Sequence, residues 1–465
     1  MNETAQLAAY AASLRLADLP QEVVGRTRSM VLDLVGNIIR ARHEAESTPA
    51  LLAAARALGL ASGNAGVFGC ASRYTPAGAA LLNGALGHSL DFDDTHAAGS
   101  LHPGAPVIPA VIAAAEMVGA TGADVMAAIV AGYEITCRIA LALPAGDHYQ
   151  RGFHPTATCG AFGAAAATCR VMGLSAETTA EAMGIALSQT AGSLQFLANG
   201  AWTKRFQVGW AAMAGLSAAT LAREGFKGAA EPLEGRLGFL RAYAPSPQPD
   251  VLTAGLGESF ELMRTAVKPY PSCRYGHAGI DAVLALRAAH DIRPEEVEQI
   301  TYGLSHAGLL LIGEPAAKRA DPQNTVDAQF SGPFVLACAL VTGAMGWDSY
   351  RELHNPAIRA LLPLVRCVHD NAVQAEAPAN MSGRITIKAR GETFERFVKI
   401  PKGEPENFLT EQELRTKFAG LAEPVLGFER MQRLAEAVLG LDSLTGIAQL
   451  TRLATPLAAA RLASD

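Results

Sequence analysis

Val267-Lys-Pro-Tyr-Pro-Ser-Cys-Arg274 divides this chain of 465 residues. No helix passes through it. Each proline fixes its own φ, lacks an N–H and pushes the residue before it toward extended backbone. Before this elbow, small and apolar residues recur at helical spacing; after it, strand-like alternation enters. The reading is a mainly α protein with an inserted α+β domain. A helical domain occupies 1–267, an α+β lid follows over 268–404, and the helical domain resumes over 405–465. A chain this long exceeds what one core usually supports.

Upstream, Thr75-Pro76 reads as a helix cap followed by proline at the first helical position, opening 79–89. Ranges 106–118, 122–143, 158–172 and 209–224 repeat the small-residue pattern, and Ser175 caps 176–187. Downstream, 278–290 and 334–342 are helical, whereas 298–304, 365–368, 384–388 and 394–400 are strands. Helices return over 411–421, 428–439 and 444–460.

The net charge of −6 argues against a nucleic-acid or anionic-membrane partner. No apolar run reaches the roughly 18 residues that a membrane span needs. The polar start, Met-Asn-Glu-Thr-Ala-Gln, does not look like a signal peptide, and a cytoplasmic location is expected. The seven cysteines form no Cys-x-x-Cys pair, which predicts reduced thiols and no zinc ribbon.

The chemistry concentrates between Gly87 and Pro106, where Asp91, Asp93, Asp94, Thr95, His88, His96 and His102 share a short apolar neighbourhood. Clustered carboxylates gain nothing for helix packing and point to a site. Asp91-Phe-Asp93-Asp-Thr95 matches a phosphatase signature literally, but it follows a helical run instead of ending a buried strand. An Asp cluster suits hard cations, yet Thr95-His96 interrupts the aspartate-rich pattern, so no metal site is expected. Asp93 and Asp94 read as structural, with capping of the next helix as one such role. If the preceding helix continued, Asp91 and Thr95 would share one face at i, i+4. His102 precedes Pro103, which holds its backbone extended, and imidazole suits proton transfer at neutral pH. His88 and His96 read as ordinary satisfied histidines. Further cations, Lys204 and Arg205 before a helix and Lys268 and Arg274 at the elbow, suggest a pocket for a small anionic substrate; Cys273 and His277 lie beside the latter pair.

Together these segments resemble the MmgE/PrpD family. The resemblance rests on Asp91-Phe-Asp-Asp-Thr95 with His102-Pro103, His154-Pro-Thr, Lys204-Arg205, and Lys268-Pro-Tyr-Pro-x-Cys273 with His277 and Ile280-Asp-Ala282. It covers essentially the whole chain, in order. The family contains 2-methylcitrate dehydratases, cis-aconitate decarboxylases and iminodisuccinate epimerases. The resemblance implies a helical domain with an α+β lid, an active site between them, a homodimer, and no obligatory metal or organic cofactor. It places Asp91, Thr95, His102, Lys204 and Lys268 in the pocket. The decarboxylase-type site has a histidine five residues after the lid lysine; here that residue is Cys273, with His277 four residues further on.

All three chemistries act on small polycarboxylates, at carbons whose carbanions need nearby cations. The expected roles are His102 as main proton-transfer residue, with Asp91 and Thr95 orienting it or the substrate. Lys204 and Lys268, helped by Arg205 or Arg274, hold carboxylates. Cys273, His277 and His154 complete the candidate set. The departure at Cys273 ranks epimerisation first, dehydration second and decarboxylation third. Outside enzymology, a non-catalytic polycarboxylate-binding protein is the alternative.

Overall fold

The computed structural model describes residues 2–456. Helix makes up 61% of the described residues and sheet only a small portion, so the protein is mainly α. The chain forms two compact units, Met1–Ala266 with Leu414–Asp465, and Val267–Glu413.

The first unit is built from α1 (Glu3–Ser13), α2 (Gln21–Glu44), α3 (Thr48–Ala57), α4 (Pro76–Gly87), α5 (Gly104–Val118), α6 (Gly122–Leu141), α7 (Ala145–Gln150), α8 (Pro155–Val171), α9 (Ala176–Leu187) and α10 (Thr203–Arg223). Local signals set several of their ends. Thr75 Oγ1 accepts from the Gly78 N–H at 3.1 Å, with Pro76 as the first residue of α4. Ser175 caps α9 through the Thr178 N–H in the same way. Such caps satisfy donors that the first helical turn leaves orphaned.

Small residues let these helices meet backbone to backbone. A Cβ at Gly209 of α10 would lie 2.9 Å from the Ala85 nitrogen of α4. One at Gly163 of α8 would lie 2.6 Å from the Gly132 carbonyl oxygen of α6. No side chain fits in either place, so α4, α10, α8 and α6 pack closely enough to bury nearly all of α8. The C-terminal segment returns to this unit from Leu414 onward, within the helix Glu411–Leu426, and continues through the strongly amphipathic helix Phe428–Leu439 and the short helix Ala448–Leu453. Of the helix expected over 444–460, only Ala448–Leu453 is helical among the described residues, and 457–460 lie outside them.

The second unit holds a four-stranded sheet of β1 (Val297–Leu304), β2 (Val365–His369), β3 (Gly383–Ala389) and β4 (Glu392–Val398), in the order β2-β1-β3-β4. Only the β1–β2 pair is parallel. Ile385, Ile387 and Ala389 are buried while Arg384, Thr386 and Lys388 are not, the period of two expected for one covered face. Helices His277–His290 and Gly332–Thr342 supply the other side of this core through Ile280, Val283, Phe334 and Leu336. Among the described residues, no helix is long and apolar enough to cross a membrane. The seven cysteines are free.

Candidate active site

α4 ends at Gly87, and the chain then leaves the helical path. Asp91 and Thr95 therefore do not share a helix face, which corrects the i, i+4 expectation. Asp91 instead takes a left-handed backbone, φ 54°, a conformation uncommon outside glycine and enriched at functional sites. The turn is held from behind. The Phe92 carbonyl accepts from Asn37 Nδ2 of α2 at 3.3 Å and from Lys417 Nζ at 2.8 Å.

From this turn the consecutive acids point to different partners. The Asp91 carboxylate meets Lys204 Nζ, at the start of α10, at 2.9 Å. Burial alone would lower the lysine pKa; the Asp91 charge outweighs it and holds the pKa above its ordinary value. Lys204 stays cationic at neutral pH.

Asp93 does not cap a helix. Its carboxylate lies between two imidazoles, with Oδ2 2.7 Å from His88 Nδ1 and 3.5 Å from His102 Nδ1. The His88 and His102 rings meet edge to face at 4.7 Å. His154, immediately before α8, brings a third ring to 5.8 Å from His88. Its Nδ1 contacts Gln207 Oε1 of α10 at 3.1 Å. Burial, then the charges of His88 and Lys204, hold the His154 pKa well below the usual imidazole value, so this ring is neutral at pH 7. The His102 backbone N–H donates to Thr156 Oγ1 in the first turn of α8, at 3.1 Å.

Asp94 does take the expected structural part. It accepts from the Gly104 N–H at the start of α5 at 3.2 Å and from the Tyr133 hydroxyl at 2.5 Å. Burial pushes its pKa up to about 8, with Tyr133 working against the shift and Asp93 adding to it.

Thr95 and His96 pair as a short antiparallel ladder with Thr265 and Ala266. The Thr95 hydroxyl oxygen is shielded from solvent and makes no hydrogen bond to the described residues. His96 turns away to Glu261, at 2.9 Å. Tyr149 of α7 donates to the Ser100 carbonyl at 3.0 Å, pinning the loop between His96 and His102. Arg205 reaches Ser47 Oγ at 3.2 Å, just before α3.

The first unit thus brings together His102, Asp91, Lys204 and His154 of the sequence-derived candidates, with Thr95 four residues along the same segment. It adds His88 and Asp93, which the sequence left in ordinary roles. The five-residue spacing of His88 and Asp93 carries no helical or strand period, so only the turn at Asp91 reveals their contact.

Arg205 also lies in the first unit, and the other candidates lie in the second. Lys268 is buried, 5% exposed. The Cys273 N–H donates to the Gln329 carbonyl at 2.9 Å, and its side chain packs on the core of that unit. Arg274 is ion-paired with Glu404. His277 is buried, with Nε2 3.2 Å from the Ser272 carbonyl and its ring edge-on to Tyr270.

Known proteins match this chain along nearly its full length. The MmgE/PrpD N-terminal domain matches residues 5–252 and the MmgE/PrpD C-terminal domain residues 270–442. The chain is 30% identical to the cis-aconitate decarboxylase-like protein oryM of Aspergillus oryzae, over 97% of each chain. It is 28% identical to the cis-aconitate decarboxylase of Aspergillus terreus, over 97% of this chain and 95% of the relative. It is also 28% identical to that of Homo sapiens, over 95% and 92%.

Proposed function

This chain belongs to the MmgE/PrpD family, and from that membership we propose that it is a lyase that decarboxylates a small unsaturated polycarboxylate of the cis-aconitate type. The observation that carries the reading is the Asp93 carboxylate set between His88 and His102, with a charged Lys204 held by Asp91 on the same turn. Relatives named as cis-aconitate decarboxylases or as cis-aconitate decarboxylase-like over nearly the whole chain support decarboxylation over the epimerisation that the sequence ranked first.

Decarboxylation breaks a carbon–carbon bond and leaves an electron pair that must take up one proton. His102 is the proton donor in this reading, and the buried Asp93 carboxylate stabilises its imidazolium form and fixes the ring. Lys204 receives a substrate carboxylate in exchange for part of its contact with Asp91. This fixed cation lowers the cost of carbanion character next to that carboxylate. The unbonded Thr95 hydroxyl supplies a further polar contact. His154, neutral and buried, packs behind His88. Arg205 keeps the start of α10 in place through Ser47. In the second unit, Lys268 and His277 are the residues that the resemblance offers for carboxylate binding and proton transfer, and both are buried there. Cys273 and Arg274 shape substrate binding, Arg274 while neutralised by Glu404.

Cys273, standing where the resemblance places a histidine, favours a second reading: isomerisation by proton removal and return. Incubation with a panel of polycarboxylates in deuterated water, followed by NMR, separates the two. Carbon dioxide release with one deuterium incorporated per product is the expected result. Deuterium exchange without loss of carbon dioxide would establish the isomerase. Loss of water with a new double bond would establish a dehydratase. Binding without any exchange would leave a polycarboxylate-binding protein.

A further inference from the structure

We propose that His88, Asp93 and His102 form a binding site for a divalent transition-metal ion, zinc fitting best, and that an ion bound there blocks His102. The spacing comes first. One nitrogen or oxygen from each residue lies within 4.8 Å of the other two, and the His88 and His102 Nδ1 atoms stand 2.7 and 3.5 Å from the same Asp93 oxygen. A tetrahedral zinc ion with bonds of about 2.0–2.1 Å spaces its ligands about 3.3–3.4 Å apart. The two nitrogen–oxygen separations bracket that value, and every pair of ligand atoms lies within 4.8 Å.

The donors select the ion. Two imidazoles and one carboxylate suit zinc and its neighbours, whereas magnesium and calcium take oxygen ligands. Charge favours entry as well. The side chains of Asp93 and His88 are fully buried, and the Lys204 cation, whose field reaches Asp93, is matched by Asp91. His102 is the exposed edge at 15%, leaving one side of the cluster open as in three-ligand zinc sites. The ligands stand on held backbone. Asp93 lies between the doubly anchored Phe92 carbonyl and the helix-capping Asp94, and Thr156 fixes the His102 N–H. A site supported in this way keeps its geometry when an ion arrives.

An ion here takes the imidazole lone pair of His102 and so acts as a reversible inhibitor. The inhibition rests on the proton-transfer reading above; the binding does not.

Cobalt(II) is the probe, added to the full-length, chelator-stripped protein without substrate, because polycarboxylates themselves hold metal ions. The expected result is one cobalt per chain with visible d–d absorption, no thiolate charge-transfer band, and displacement by zinc. His102→Ala, at the exposed edge, and Asp93→Asn, as a second variant, should each weaken binding by at least about 100-fold, the upper end for losing an outer-shell partner. No stoichiometric site, a thiolate band, or unchanged affinity in His102→Ala overturns the proposal. In the kinetic arm, zinc should stop turnover of cis-aconitate and a chelator should restore it. Undiminished turnover by the zinc-loaded enzyme overturns the blocking role. If no polycarboxylate turns over while cobalt binds as stated, the functional reading fails and the metal site stands.

Discussion

Nζ of Lys204 lies 2.9 Å from Oδ1 of Asp91, across 113 residues of sequence. The pair is partly open, its side chains 30% and 22% exposed. Such pairs contribute only about 0–1 kcal/mol to stability, yet Asp91 holds a left-handed backbone to make this one. In the proposed reaction this contact positions a cation for substrate. Lys204→Gln should lower kcat/KM by about 10²–10³-fold, the range for removing a fixed stabilising group, with little change in melting temperature. Steady-state kinetics beside thermal melting checks this; an unchanged kcat/KM removes Lys204 from substrate binding.

His102 and Asp93 should behave as one unit. His102→Ala is expected to lower kcat by about 10²–10⁴-fold, as loss of a general acid does. Asp93→Asn should lower it in the same direction. The double variant should be about as slow as the worse single one, because groups acting together lose function non-additively. Losses that multiply in the double variant would mean that the two residues act separately.

Asp94 should make the fold more sensitive to alkali. Its pKa is pushed from 3.8 up to about 8, chiefly by burial. Between those values the folded state holds a proton that the unfolded state has released. This contribution is therefore complete below about pH 4 and lost as pH rises through about 8. Glu134, raised to about 7 by burial against the pull of Arg138, acts in the same sense. Asp94→Asn keeps an acceptor for the Gly104 N–H but cannot ionise. Urea unfolding at pH 6 and 8.5 should show wild type losing more stability across that interval than the variant. Equal losses would show that Asp94 does not titrate there.

Gly209→Ala should destabilise the first unit. The added carbon would sit 2.9 Å from the Ala85 nitrogen, which is rigid helix backbone. Overpacking of this kind costs about 1–3 kcal/mol, more than the helix propensity of alanine returns. The denaturant midpoint should fall. A variant as stable as wild type would mean that α4 and α10 separate without cost.

Much of this was legible locally. Thr75-Pro76 and Ser175 marked helix starts because a cap needs only its own next residues. The strand at 383–389 was legible because Ile385 and Ile387 alternate with Arg384, Thr386 and Lys388. The candidate acids and bases stood out as titratable side chains in apolar surroundings. The partners of Asp93 were not legible, because a cap and a histidine partner demand the same residue type. His88 was passed over because it looks like any polar residue closing a helix.

The chain's sequence alone determined its helical periodicity, its elbow at Lys268-Pro-Tyr-Pro and its membership in a family, since each depends on residue order. Only the tertiary structure decided which neighbouring acid does what. Asp91, Asp93 and Asp94 share a side chain and differ in direction. That direction follows from a backbone turn anchored by Asn37 and Lys417, residues far apart in sequence that meet at one carbonyl.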